Sequence, residues 1–259
     1  MLRLSAQAFT PEVPGRRLNL SAIEASLRAV QQDFVRLNAT LSTPRDPFSD
    51  EVLANLLAGY ACVDDAIAQG LDLFALGNSR RLLELNILVL CGPVEKARRA
   101  AASHIAATER RFYEQPGGGI RDLMHWLSVH TKDPVWRRAA GAYVRILSQP
   151  QLYLEGNHRT GALIMSYILA RDGRPPFVLT LDNAKAYFDP SALVKGTKKR
   201  GVAELTRLPK LKKRFAKLLE AQSDDAYLLP ASPSTAEQRA ASDEVRERPD
   251  MDAFPREAS

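Results

Sequence analysis

Apolar side chains recur at three- and four-residue spacing through most of this chain, and runs that alternate polar and apolar residues are nearly absent. That pattern restricts the fold to packed helices. Ile23, Leu27, Val30, Phe34 and Leu37 fall on one helical face, opened by a Ser21-x-x-Glu24 capping box. A Pro-containing loop, LSTPRDPF, follows, with Ser49 or Asp50 as the cap of the next helix. Residues 51–110 read as several helices punctuated by Gly59, Gly70, Gly77 and Gly92-Pro93. Residues 114–119, EQPGGG, read as a flexible loop before a helix around 120–130. Asp133 then caps another helix with Pro134 at its first position, where proline loses no needed hydrogen bond. Beyond a loop at 148–158, an apolar helix spans 159–171 and is stopped by Asp172-Gly173 and Pro175-Pro176. Phe177, Val178 and Leu179 suit an extended stretch, and a last helix covers 209–221. The expectation is one all-α domain over residues 19–221. An extended arm, 1–18, precedes it, and a polar, Pro-containing tail, 222–259, follows, for which disorder is expected.

Composition narrows the function. With 259 residues, 45% of them apolar, the chain can bury a sizeable core. Two cysteines, Cys62 and Cys91, exclude a disulfide framework or a Cys-rich zinc module. Both lie in apolar contexts and read as core residues. No run approaches the ~18 apolar residues a membrane helix needs, and the stretch 82–90 is interrupted by Glu84 and Asn86, so no membrane helix is expected. That stretch could serve the core or a homodimer interface. The first residues lack the apolar run of a secretory signal, and a cytoplasmic location is the expectation. The net charge of +6 is unevenly spread: residues 195–217 carry +9 and residues 231–259 carry −3.

Chemistry concentrates at Gln151-Leu-Tyr-Leu-Glu-Gly-Asn-His-Arg-Thr-Gly-Ala162. A glycine and an asparagine stand at the mouth of a helix, just before an arginine. Free N–H groups at a helix N-terminus, with the helix dipole, favour an anion. Gly156 lets the backbone approach a phosphate, and Arg159 offers a fork of donors. Glu155 could hold Mg²⁺, which prefers carboxylate and phosphate oxygens.

These residues resemble the Fic/Doc (Fido) family, whose signature runs His-x-Phe-x-(Asp/Glu)-Gly-Asn-(Gly/Lys)-Arg-x-x-Arg between two helices. The aligned string here is Gln151-x-Tyr153-x-Glu155-Gly156-Asn157-His158-Arg159-x-x-Ala162. The flanking VWRRAAGAYVRI and TGALIMSYILARDGRPPFVL also resemble the family's helices, so the resemblance covers roughly residues 118–190. It implies an all-α Fido fold and transfer of AMP, or another phosphate-containing group, from ATP or a related nucleotide to a protein hydroxyl. Glu155 would then coordinate Mg²⁺. Gly156, Asn157, His158, Arg159 and Thr160 would form the phosphate cradle, and Tyr153 would replace the Phe that anchors the loop. A small β-hairpin flap is expected near the site, around 112–119.

The departures define what is unusual. The motif's general base is Gln151 here, and glutamine takes up no proton at neutral pH. His158 stands in place of glycine and is the candidate replacement base. The last motif arginine is Ala162. The family's inhibitory Ser/Thr-x-x-x-Glu-(Gly/Asn) helix has no counterpart, because the sole Glu followed by Gly or Asn is Glu155 itself. Three functions follow: a divergent Fic-type transferase, a catalytically silent nucleotide-sensing or interaction module, or a binder of nucleic acid or an anionic surface through 195–217. In that segment Leu208, Leu211, Phe215, Leu218 and Leu219 form an apolar stripe that docks on something, most simply its own domain. The lysine-rich face offers partners of negative charge, a solvated face being the simpler alternative.

Other residues carry less. Arg98, Arg99, Arg110 and Arg111 could line an anion pocket or form a solvated face. His125 and His130 are five apart, a poor spacing for a shared metal, and His104 reads as part of a helix face. Asn183, Tyr187 and Phe188 could stand near a nucleobase or simply pack.

Overall fold

A computed structural model describes residues 16–199 and 201–229; the N-terminal arm up to residue 15 and the tail from residue 230 lie outside the described residues. Among the described residues there are eleven α-helices and one two-stranded sheet. The helices are α1 (Leu20–Gln32), α2 (Phe34–Ala39), α3 (Asp50–Ala68), α4 (Ser79–Cys91), α5 (Glu95–Ala100) and α6 (Ala102–Glu114). They continue as α7 (Ile120–Val129), α8 (Val135–Leu147), α9 (Asn157–Arg171), α10 (Leu181–Lys195) and α11 (Val202–Ala221).

The organising element is α9. Residues 160–170 along it are all buried, with α8, α3 and α4 packed around it. A helix apolar on every side has no solvent face to offer and must sit in the interior. Gly59 lies inside α3 rather than ending it: a Cβ there would stand 2.3 Å from Leu163 Cδ1, so the glycine is what lets α3 approach α9 closely. Helix α8 is sandwiched between α9 and α11, and Tyr143 meets Phe215 edge-on at 4.9 Å. Burying Phe215 completely contributes roughly 1.5–3 kcal/mol. The stripe Leu208, Leu211, Phe215 and Leu219 therefore docks on its own domain. Leu82, Leu83, Leu85, Leu88 and Val89 likewise belong to this chain's core.

Several local expectations change. The cap of α1 is Asn19, whose side chain accepts from Ala22 N–H, so the helix starts before the Ser21 box. Ser49 does cap α3, accepting from Val52 N–H. Pro134, not Asp133, is the residue before α8, and Asp133 instead pairs with Lys212 of α11. Helix α11 begins at Val202 and carries Pro209 inside it. The expected flap at 112–119 is not a hairpin. Phe112 belongs to α6, fully buried against Tyr153, and Gly118 and Gly119 both return N–H bonds to the Gln115 carbonyl. The sheet is elsewhere: β1 (Arg17–Leu18) pairs antiparallel with β2 (Leu228–Leu229). Buried Asp64 of α3 secures it, accepting from Leu18 N–H at 2.7 Å and from the Arg17 guanidinium. Cys62 and Cys91 are half-buried free thiols rather than core residues, and burial raises both.

Candidate functional site

The loop from Ser148 to Gly156 connects α8 to α9, and long-range bonds hold it at several points. Lys199 Nζ donates to the Pro150 carbonyl at 2.7 Å. Arg111 Nε donates to the Gln151 carbonyl at 2.9 Å. Tyr153 is fully buried, stacks on Phe112 and donates its hydroxyl to Leu82 O at 2.9 Å. Asn86, inside α4, donates to both Glu155 O (2.9 Å) and Thr160 Oγ1 (3.0 Å). A loop fixed in this way presents its backbone in one geometry at no cost when a ligand arrives.

Gly156 ends the loop at φ 72° and ψ 4°, the left-handed region, and is the residue before α9. A Cβ there would stand 2.9 Å from Asn86 Nδ2. Glycine satisfies the turn and the close approach together. The turn delivers the free N-terminus of α9 to the floor of a cleft of about 470 Å³.

That cleft gathers most of the motif. Gln151, Glu155, Gly156, Asn157, His158, Arg159 and Ala162 line it. Thr160 does not: it is buried with its hydroxyl against Asn86. The Asn157 side chain is also committed inward. It accepts from Tyr153 N–H at 3.0 Å and donates to Tyr153 O at 2.9 Å, so only its backbone remains for an anion. Arg159 reaches the cleft with one nitrogen donating to Val89 O at 3.1 Å. Burial lowers its pKa, and the carboxylates of Asp46, Glu155 and Glu51 oppose that shift. Gln151 turns back and donates to Leu147 O at 3.1 Å.

The opposite wall comes from segments the motif does not include. Residues 45–48 of the α2–α3 loop contribute Arg45, Asp46, Pro47 and Phe48; α10 and its approach contribute Phe177, Tyr187, Phe188 and Lys195. Of the residues proposed to stand near a nucleobase, Tyr187 and Phe188 line the cleft and Asn183 does not. Asn183 instead completes a capping box with Thr180. The Arg98–Arg111 cluster also faces elsewhere: Arg98 pairs with Glu84, Arg99 with Glu95, and Arg111 braces the loop. His130 stacks on Trp126 at 4.1 Å. In the basic segment, Lys195 lines the cleft, Lys199 is buried and Lys212 lies over Trp126, leaving Lys198, Arg207, Lys210, Lys213, Arg214 and Lys217 exposed among the described residues.

The protons around His158 can be assigned by counting donors. Ser191 Oγ stands 2.6 Å from Tyr187 O, which can only accept, so the serine proton goes there. Tyr143 then donates to Ser191 Oγ at 2.7 Å. Its oxygen is left to accept from His158 Nδ1–H at 3.2 Å. The imidazole is therefore neutral, with its Nε2 lone pair 3.5 Å from Arg45 Nη1. Burial, then Arg45, Lys195 and Arg159, push its pKa down to about 3. At neutral pH His158 is a hydrogen-bond acceptor and a weak base.

Among the described residues no group of three or more His, Cys, Asp or Glu side chains converges as a closed cage. Glu155 and Asp46 line the same cleft, and one or two carboxylates plus ligand oxygens suit Mg²⁺. The residues fit such an ion only together with a phosphate ligand.

Comparison with known proteins points the same way. Over 72 residues the chain is 33% identical to protein adenylyltransferase fic-1 of Caenorhabditis elegans, a match covering 27% of this chain and 14% of that protein. Protein adenylyltransferase fic-1 of Caenorhabditis briggsae is 32% identical over 72 residues, again 14% of its length. The chain thus spans a small part of these relatives. No family profile and no solved structure matches it. The similarity supports a Fic relationship, and the helical architecture is consistent with the all-α Fido-like fold. No helix among the described residues is long and apolar enough to cross a membrane.

Proposed function

We propose that this cleft binds a nucleotide, ATP or a close relative, with Mg²⁺, and that the protein is a divergent Fic-type transferase moving AMP or another phosphate-containing group to a protein hydroxyl. The observation that carries the reading is the pairing of left-handed Gly156 with Arg159 at the free end of α9, beside Glu155 in one cleft. Backbone N–H groups of the first α9 turn would hold phosphate oxygens, and Arg159 would neutralise charge on the transferred or leaving phosphates. Mg²⁺ held at Glu155 would supply charge neutralisation across adjacent phosphates. Tyr187 and Phe188 would border the nucleoside.

The missing base changes the expected rate rather than the binding. A positioned general base supplies ~10²–10⁴-fold, and His158 replaces it poorly because it is neutral with a strongly depressed pKa. In this reading His158, whose Nε2 lone pair is turned to Arg45, takes no proton, and the acceptor hydroxyl loses its proton to solvent as diphosphate leaves. Phosphoryl transfer, which is mostly positioning and charge stabilisation, proceeds slowly.

The second reading is a silent nucleotide-sensing module. What favours it is Gln151, whose amide turns away to Leu147 O. Intact-mass measurement after incubation with ATP and Mg²⁺ separates the two. Wild type, Gln151→His and Gln151→His with Arg159→Ala would be compared. The transferase reading expects AMP addition that rises in Gln151→His and disappears in the double variant. ATP binding without transfer in both wild type and Gln151→His would leave the sensing module.

A further inference from the structure

Arg45 is an unusual arginine for a surface loop. It belongs to residues 40–49 between α2 and α3, far in sequence from the motif. Its backbone is clasped by Asn38, which accepts from Arg45 N–H at 2.7 Å and donates to Arg45 O at 2.9 Å. The loop is tied to α10 as well: Ser42 donates its N–H and its hydroxyl to Asp189 at 2.9 and 2.8 Å. The guanidinium lies over the Phe188 ring at 5.2 Å and donates through Nη2 to Phe188 O at 2.8 Å. Nη1 meets His158 Nε2, while Nε is buried with no partner at all.

That nitrogen is sealed from solvent, so the donors that Arg45, a cleft-lining residue, can offer a ligand are the remaining N–H groups of Nη1 and Nη2. On that side of the cleft the other cationic donor is Lys195 of α10. His158 presents a lone pair to Arg45, and Ala162, at the place of the missing motif arginine, presents a methyl group. Arg159 lies on the same cleft and is already engaged with Val89 O.

We infer that Arg45 is a second anion-anchoring residue of this cleft, supplied by the α2–α3 loop, which together with Arg159 grips a ligand carrying more than one phosphate. The inference rests on the nucleotide reading above and adds to it a residue outside the motif. Asn38 and Asp189 act as positioning residues, because they fix the loop that carries the guanidinium.

Isothermal titration of ATP, AMP and inorganic diphosphate, each with Mg²⁺, tests it on wild type, Arg45→Ala, Arg45→Lys and Arg159→Ala. Unliganded melting temperature checks that each variant is folded. Wild type should take ATP and diphosphate more tightly than AMP. Arg45→Ala should weaken ATP and diphosphate about 10- to 100-fold, the loss expected for a charge-assisted bond, and AMP much less. Arg45→Lys keeps the charge without the fork, so it should fall between. ATP binding unchanged in both Arg45 variants, with a loss in Arg159→Ala, would overturn the role of Arg45 and leave the cleft reading standing. No binding of any probe by wild type would overturn both.

Discussion

Asn157 spends both ends of its side-chain amide on one residue, Tyr153, accepting from its N–H and donating to its carbonyl. The ring so formed closes the loop on itself four residues before α9 begins, and both partners are buried. The motif asparagine is thus a structural clamp whose backbone alone faces the cleft. Asn157→Ala should leave two buried backbone groups unpaired and cost about 2–4 kcal/mol. A denaturant midpoint measured against wild type checks this. A loss below ~0.5 kcal/mol would contradict the clamp.

Gly156→Ala tests the turn separately. The positive φ and the contact to Asn86 Nδ2 act together, so the substitution should cost about 1–3 kcal/mol. It should also weaken phosphate binding, because α9's first N–H groups lose their aim. Equal stability of the two proteins in thermal unfolding would remove the argument for a strained glycine.

His158 makes stability depend on pH in a defined direction. Its folded pKa is depressed to about 3 from the ordinary 6.5. Below pH 6.5 the unfolded chain binds a proton that the folded chain refuses. Its contribution is therefore fully present above pH 6.5 and lost as pH falls towards 3, at up to ~1.4 kcal/mol per pH unit. Unfolding free energies measured between pH 7 and 5 should fall more steeply in wild type than in His158→Gln. Parallel slopes would mean that the imidazole is solvated or charged in the fold.

Lys199 works in the alkaline range. It is 3% exposed, and burial lowers its pKa to about 7, with Arg145 adding to the shift. Between pH 7 and 10.5 the unfolded chain holds a proton that the folded chain has released, so stability should rise as pH climbs from 7 to 9. Lys199→Met should flatten that rise while freeing the Pro150 carbonyl. A rise of the same size in Lys199→Met would assign the effect to another group.

How much of this was legible in the sequence varied with distance along the chain. The α9 burial was readable, because eleven consecutive residues from Thr160 to Ala170 offer no charged face. Ser49 was readable as a cap because its signal is local. Asn19 was not, since Ser21 two residues later carried the stronger box pattern, and the β1–β2 pairing that fixes Asn19 spans the whole domain. Proline misled at 209, where it lies inside α11 rather than opening it. In the site, Glu155, Gly156 and Arg159 were found from their residue types at a helix mouth and His158 from the family resemblance, and the cleft brings the four together. Thr160 and Asn157 were assigned to phosphate by the resemblance, which does not show that their side chains turn inward. Arg45 and Asp46 were missed altogether. They come from a loop whose local sequence, TPRDPF, signals only turns, and nothing short of tertiary packing brings it over α9.

The central claim is that the cleft binds a phosphate-bearing nucleotide through Arg159 and the N-terminus of α9. Thermal unfolding against a nucleotide panel, with and without Mg²⁺, tests it most directly on wild type beside Arg159→Ala. A ligand at ~100 times its dissociation constant should stabilise the fold by ~2.7 kcal/mol. The account predicts a Mg²⁺-dependent upward shift in wild type that is absent in Arg159→Ala. A shift of equal size in both proteins, or none with any nucleotide, would contradict it.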